Sequence, residues 1–172
     1  MVGRDYEIAR ILCLSERTVN YHVQNLIVKL GACNKMSAVT KATKAGIIKE
    51  NSLVVSSPQY PGVIEVLEGR TANLKLSGRD FEYGDVFADG FGTRFSVRGL
   101  ATDYPQIWMP IIGFHQAQNA ATAIAAVELF LGEGSRPIAD EVLRAALADA
   151  VSPGRLQVVS KEPFVVLDGA HN

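Results

Sequence analysis

From residue 52 onward, β-rich runs alternate with helical stretches, and this alternation restricts the possible folds more than any other feature of the chain. "SLVVSS" is a short β-rich run stopped by "PQYP", and "GVIEVLE" reads as a helix. "LKLSGRDFEYGDVFADGFGTRFSVRG" places Gly and Asp breaks between short apolar alternations, which predicts strands and turns. Within it, "GFG" at 90–92 is only a loop, because no third glycine follows as a dinucleotide fingerprint requires. "IWMPIIG" reads as a buried strand. "HQAQNAATAIAAVELFL" predicts a long helix whose alanines permit close packing on a sheet. "IADEVLRAALADA" predicts another, with Ile138, Val142, Leu143, Ala146 and Leu147 on its core face. "LQVVS" and "FVVLDGA" close the pattern as strands. Alternation of this kind predicts an α/β fold.

The first fifty residues have a different character. They contain no proline, whereas all seven prolines of the chain lie later. They carry eight Lys/Arg against four Asp/Glu, while the remainder carries nine against fourteen. The first part suits a polyanion and the second does not. No apolar run approaches the roughly 18 residues of a membrane span. "MVGRDYEIAR" lacks the apolar core of a signal peptide. Cys13 and Cys33 make no disulfide framework and suit packing in a reducing cytoplasm, so a cytoplasmic location without membrane contact is expected.

Helical periodicity dominates this first part. "DYEIARILCL" puts Ile8, Ile11 and Leu12 on one face. Ser15 stands where an N-cap belongs. In "SERTVNYHVQNLIVKLG", Val19, Val23, Leu26, Ile27 and Leu30 form an amphipathic stripe that Gly31 ends. The opposite face carries Arg17, Thr18, Asn20, Tyr21, Gln24, Asn25 and Lys29. "KMSAVTKATKAGII" predicts a third helix, with Val39, Ala42 and Ile47 available for packing. Two helices joined by a tight turn, the second with an amide-rich face flanked by cations, fit helix-turn-helix logic. Amides can pair with base edges and cations with phosphates. A merely solvated helix face is the alternative reading.

The stretch "EIARILCLSERTVNYHVQNLIVKLGACNKMSAV" resembles the LuxR-type helix-turn-helix of bacterial regulators. "EIA", "SERTV", "HV" and "KLG" fall in that family's register. The resemblance implies that Asn20, Tyr21 and Gln24 face bases, and that Arg17, Thr18, Lys29 and Lys35 sit near DNA phosphates. The family has a further helix before "GRDYEIA", which this chain is expected to lack.

In the α/β part, polar residues punctuate element ends. His115 and Asn119 lie at a helix start, Arg155 follows "SPG", and Asp168 and His171 follow the last strand. Ligands of α/β sheets collect at strand carboxyl ends and helix N-termini. Alone, each residue also reads blandly, as a cap-region amide, a surface charge or a turn. The blocks "KAGIIK" with "VVSSPQ", "GFHQAQNAATAIAAVE", "SPGRLQVV" and "FVVLDGAHN" together resemble the bacterial folylpolyglutamate synthase/dihydrofolate synthase family, within the Mur-ligase fold. That family joins glutamate to a folate carboxylate through an acyl phosphate, using ATP and Mg2+. The resemblance implies that Asn119, Arg155 and Asp168 contact ATP and that His171 lies beside the nucleotide. It aligns Lys44 with a carbamylated lysine near the metal site. The family usually has Glu before that lysine, and this chain has Thr43.

"KATKAGII" satisfies both resemblances, so the chain reads as a crossover between two genes. The expected fold is α/β, a partial Mur-ligase-like central domain, preceded by an all-α helix-turn-helix segment. The expected boundaries are 1–43 for the helix-turn-helix segment, 44–151 for the second half of the ATPase domain, and 152–172 for the first strands of the ligase C-terminal domain. No GxxxxGK[ST] phosphate loop occurs. The larger part is therefore expected to derive from a folate–glutamate ligase and to be inactive alone. A DNA-binding regulator and a non-catalytic interaction scaffold are the two other readings.

Overall fold

The computed structural model describes Val28, Lys29, Gly31, Lys41, residues 45–152, Gly154 and residues 156–169. The helix-turn-helix expectations at Arg17, Thr18, Asn20, Tyr21, Gln24 and Lys35 lie outside the described residues, as do Lys44, Arg155 and His171.

The described fold begins with a parallel unit. Strand β1 (Val54–Ser56) leads through helix α1 (Pro61–Glu68) to strand β2 (Leu74–Leu76), which pairs with β1 in parallel. Pro61 starts α1 because its missing N–H would have no helical partner there and its fixed φ suits the first turn. The helix buries Leu67 and leans Val63 and Ile64 on Leu74 and Leu76. Beyond β2 the chain turns sharply, and the Asp80 carboxylate accepts the Leu76 N–H at 2.8 Å.

Three strands then form an antiparallel meander, β3 (Glu82–Asp89), β4 (Gly92–Arg98) and β5 (Asp103–Met109), in that order. The "GFG" stretch is the β3–β4 turn. Asp89 Oδ1 accepts the N–H groups of Phe91 and Gly92 at 2.7 and 3.0 Å, a local bond that tightens the turn. Register shifts between Gly84 and Phe87 and between Phe95 and Val97 bend the sheet.

Helix α2 (Phe114–Gly132) lies across this sheet. Ala117, Ala120, Ala121 and Ala125 bring its backbone close enough for Phe81, Phe95, Val97 and Ile107 to fill the layer beneath. Helix α3 (Asp140–Ala148) follows and lies against β5. Its buried face is narrower than the sequence pattern predicts. Leu143 is buried and Ile138 and Leu147 pack partly on the core, but Val142 is 46% exposed. The cause is Arg144, whose guanidinium donates to the Gln106 and Pro105 carbonyls, both at 2.9 Å, and to Asp140 at 2.7 Å. This grip on the β5 backbone fixes the helix roll and leaves Val142 outside. The last elements, β6 (Gln157–Lys161) and β7 (Phe164–Leu167), form an antiparallel hairpin. Among the described residues no helix is long and apolar enough to cross a membrane.

Candidate functional site

The start of α2 is held from below. The Thr93 hydroxyl, fully buried in β4, donates to the Ile111 carbonyl at 2.7 Å and accepts the Gly113 N–H at 3.1 Å. Gly113 has φ 130°, which a side chain would strain, and an added Cβ would lie 2.7 Å from the His115 ring. This loop sets the first turn of α2. There Gln116 is buried, its amide nitrogen 3.1 Å from His115 Nε2, while its Oε1 accepts from Asn119 Nδ2 at 3.2 Å. His115, Gln116 and Asn119 thus form one hydrogen-bonded row along the helix start. Asn119 itself is exposed, which leaves its amide oxygen open to a donor from outside.

Asp168 lies at the carboxyl end of β7 and is exposed. The next residue, Gly169, donates its N–H to the Gly154 carbonyl, and the Gly154 N–H donates to Gln157 Oε1 at 3.0 Å. The strand end carrying Asp168 is therefore bonded to Gly154. Gly154 and Leu156, just before β6, have left-handed φ values of 72° and 46°. Among the described residues no hydrogen bond or ion pair joins Asn119 to Asp168. A cavity of about 380 Å³ opens between the end of the meander and the hairpin, lined among others by Phe91, Trp108, Ile111, Leu156 and Lys161. Neither Asn119 nor Asp168 lines it.

No group of three or more His, Cys, Asp or Glu side chains able to hold a metal ion occurs among the described residues. In the helix-turn-helix part, Lys29 is exposed, as a phosphate contact requires. Lys41 donates its ammonium to the Gly31 carbonyl.

Two supports of the site escape a reading of the sequence alone. Gln116 orients Asn119, and nothing in "HQAQN" distinguishes it from Gln118. Thr93 holds Gly113 across 20 positions. A third polar group, Glu128, was legible in principle. It falls on the apolar stripe of Ala117, Ala121 and Ile124, where an acid needs a partner.

Comparison with known proteins matches different parts of the chain to different proteins. Residues 5–42 match the bacterial regulatory proteins of the luxR family. The transcriptional activator protein SolR of Ralstonia solanacearum is 58% identical over 43 residues, 25% of this chain and 18% of SolR. The dihydrofolate synthase/folylpolyglutamate synthase of Mycobacterium tuberculosis is 37% identical over 141 residues, 75% of this chain and 29% of that protein. Solved M. tuberculosis folylpolyglutamate synthase complexed with ADP and AMPPCP is similar with a TM-score of 0.67 and 31% identity, over 81% of this chain and 32% of that one. The chain spans about three-tenths of the length of these ligases. It joins a luxR-type segment to a region like folylpolyglutamate synthase that makes up most of its length.

Proposed function

We propose that the larger part of the chain is the nucleotide-facing portion of an ATP-dependent folate–glutamate ligase. The observation that carries this reading is the likeness to a ligase solved with ADP and AMPPCP over 81% of the chain. In this reading 44–151 is the second half of the ATPase domain and 152–172 begins the C-terminal domain. Asn119, Arg155 and Asp168 contact the nucleotide, His171 lies beside it, and Lys44 takes the place of the family's carbamylated lysine near the metal site. The full reaction has a folate carboxylate oxygen attack the γ-phosphorus, expelling ADP. The glutamate amine then attacks the acyl carbon and displaces phosphate. Mg2+ supplies charge neutralisation at the transferred phosphoryl group.

This 172-residue polypeptide by itself does not complete that reaction. Its sequence has no GxxxxGK[ST] loop whose backbone N–H groups could cradle the phosphates. It binds ATP or ADP only through the adenosine side, with an affinity no better than about millimolar. Purified chain incubated with ATP, Mg2+, glutamate and dihydropteroate tests the claim. No ADP release above the folate-free control is expected, and folate-dependent release would refute it.

A second reading is supported for the first part by the 58% identity to SolR. Residues 1–48 bind DNA through Asn20, Tyr21 and Gln24 on bases and Arg17, Thr18, Lys29 and Lys35 on phosphates. Fluorescence anisotropy with a labelled duplex at low salt tests it. The cytoplasm, where both nucleotide and DNA are available, is the compartment that suits either reading.

A further inference from the structure

The cavity of about 380 Å³ between the meander and the hairpin is used by neither the ligase nor the DNA reading. Its size falls among pockets that take small organic ligands, roughly 300–1,000 Å³. Trp108 and Ile111 enter its wall from β5 and the stretch that follows, Ser152 from the stretch after α3, and Leu156, Gln157 and Lys161 from β6 and its approach. Phe91 closes it from the β3–β4 turn. Its ring meets Phe164 edge-on, with centroids 5.8 Å apart, and Lys161 Nζ lies 5.2 Å from its centroid. These contacts hold the tip of the hairpin against the tip of the meander. Trp108 owes its place to Gly92. An added Cβ at 92 would lie 2.8 Å from the indole Nε1, so the ring uses room that only glycine leaves.

The polar groups of this wall are one-sided. Among the described lining residues Lys161 carries the only charge, and no Asp or Glu contributes. Among the described residues no carboxylate pairs with its ammonium. Ser152 is only 8% exposed, yet its hydroxyl has no hydrogen-bond partner among the described residues. A buried polar group is costly unless bonded, and a ligand that brings an acceptor removes that cost. Gln157 commits its amide oxygen to the Gly154 N–H and keeps its amide nitrogen as a donor. An ammonium, a hydroxyl and an amide N–H together call for an anionic acceptor. The flat apolar walls of Trp108 and Phe91 call for a ring.

We propose that this cavity binds a small aromatic carboxylate, its ring against Trp108 and its carboxylate on the Lys161 ammonium and the Ser152 hydroxyl. The site is separate from Asn119 and Asp168, neither of which lines it, and it does not rest on the ligase reading.

Trp108 is the only tryptophan of the chain, so its indole N–H gives one NMR resonance inside the site. The test titrates the full 172-residue chain with cinnamate and with its neutral analogue cinnamamide. Cinnamate should move the Trp108 resonance saturably and bind about tenfold or more tighter than the amide. Lys161→Gln, at an exposed position, should bring the two ligands within about threefold of each other. Ser152→Ala should weaken cinnamate by about threefold or more. Excess ADP should leave the titration unchanged. A resonance that does not move, or equal binding of the amide, would overturn the proposal. So would cinnamate affinity unaltered in both variants. If a variant fails to fold, the comparison of cinnamate with cinnamamide on the unsubstituted chain decides. Displacement by ADP also overturns it, because the cavity would then belong to the nucleotide.

Discussion

The Tyr104 hydroxyl donates to Glu128 Oε1 at 2.7 Å inside the core, and it accepts the Ile138 N–H at 2.8 Å. Glu128 Oε2 accepts the Leu100 N–H at 2.6 Å. One buried carboxylate and one phenol thus tie together the β4–β5 turn, α2 and the segment entering α3. Tyr104→Phe leaves the Ile138 N–H and one carboxylate oxygen without a partner. It should lower the unfolding free energy by about 1–3 kcal/mol in urea titration.

The same pair predicts a pH dependence. Burial, reinforced by the hydrogen bond to Glu128, pushes the Tyr104 phenol well above its ordinary range. The folded state therefore prefers the protonated phenol, and this contribution is fully present below the unfolded value of about 10. As pH rises above that value, the unfolded chain loses the proton first and stability falls. Thermal unfolding between pH 8 and about pH 11 should show this decline, and Tyr104→Phe should flatten it.

Gly92 is where the meander leaves no space. An added Cβ would meet the Met109 carbonyl oxygen and would lie 2.8 Å from Trp108 Nε1. Gly92→Ala should cost about 1–3 kcal/mol through overpacking, read as a lowered midpoint in denaturant. Gly62→Ala, with nothing within 4 Å of the added carbon and a place in the first turns of α1, should be neutral or mildly stabilising.

For the nucleotide reading, Asn119→Ala and Asp168→Ala should each weaken ADP binding by about threefold or more, equivalent to at least ~0.7 kcal/mol. Gln116→Leu removes the acceptor that orients Asn119 without touching the exposed surface. It should weaken ADP binding less than Asn119→Ala does. Saturation-transfer NMR suits the millimolar range. Equal ADP binding in all three variants would place the nucleotide elsewhere.

For the DNA reading, Lys29→Ala should reduce the slope of log K against log salt by about 1, the change for one lost phosphate contact. The slope is obtained from anisotropy titrations at several salt concentrations. An unchanged slope would mean that the exposed ammonium faces only solvent.

Much of the α/β part was legible because its signals are local. β1, α1, α2 and the β6–β7 hairpin fall on the runs that apolar period and turn residues mark out. The pairing of strands was not legible, because whether β2 meets β1 or β3 depends on contacts distant in sequence. Val142 misled for a related reason. Periodicity places it on the core face, but Arg144 reaches carbonyls 38 and 39 residues away and sets the roll of α3. At the candidate site, Asn119 and Asp168 could be picked out as polar residues at element ends. The supports beneath them could not, because Thr93 and Gln116 matter through side-chain bonds that no spacing encodes.

The bond from Gly169 to Gly154 closes the hairpin at its open end, so β6, β7, Gly154 and Gly169 are tied into one unit. Any displacement of the hairpin therefore carries Asp168 and Gly154 together. Their spacing is then fixed by that bond. Only their distance from Asn119, anchored to α2 and the meander, then changes.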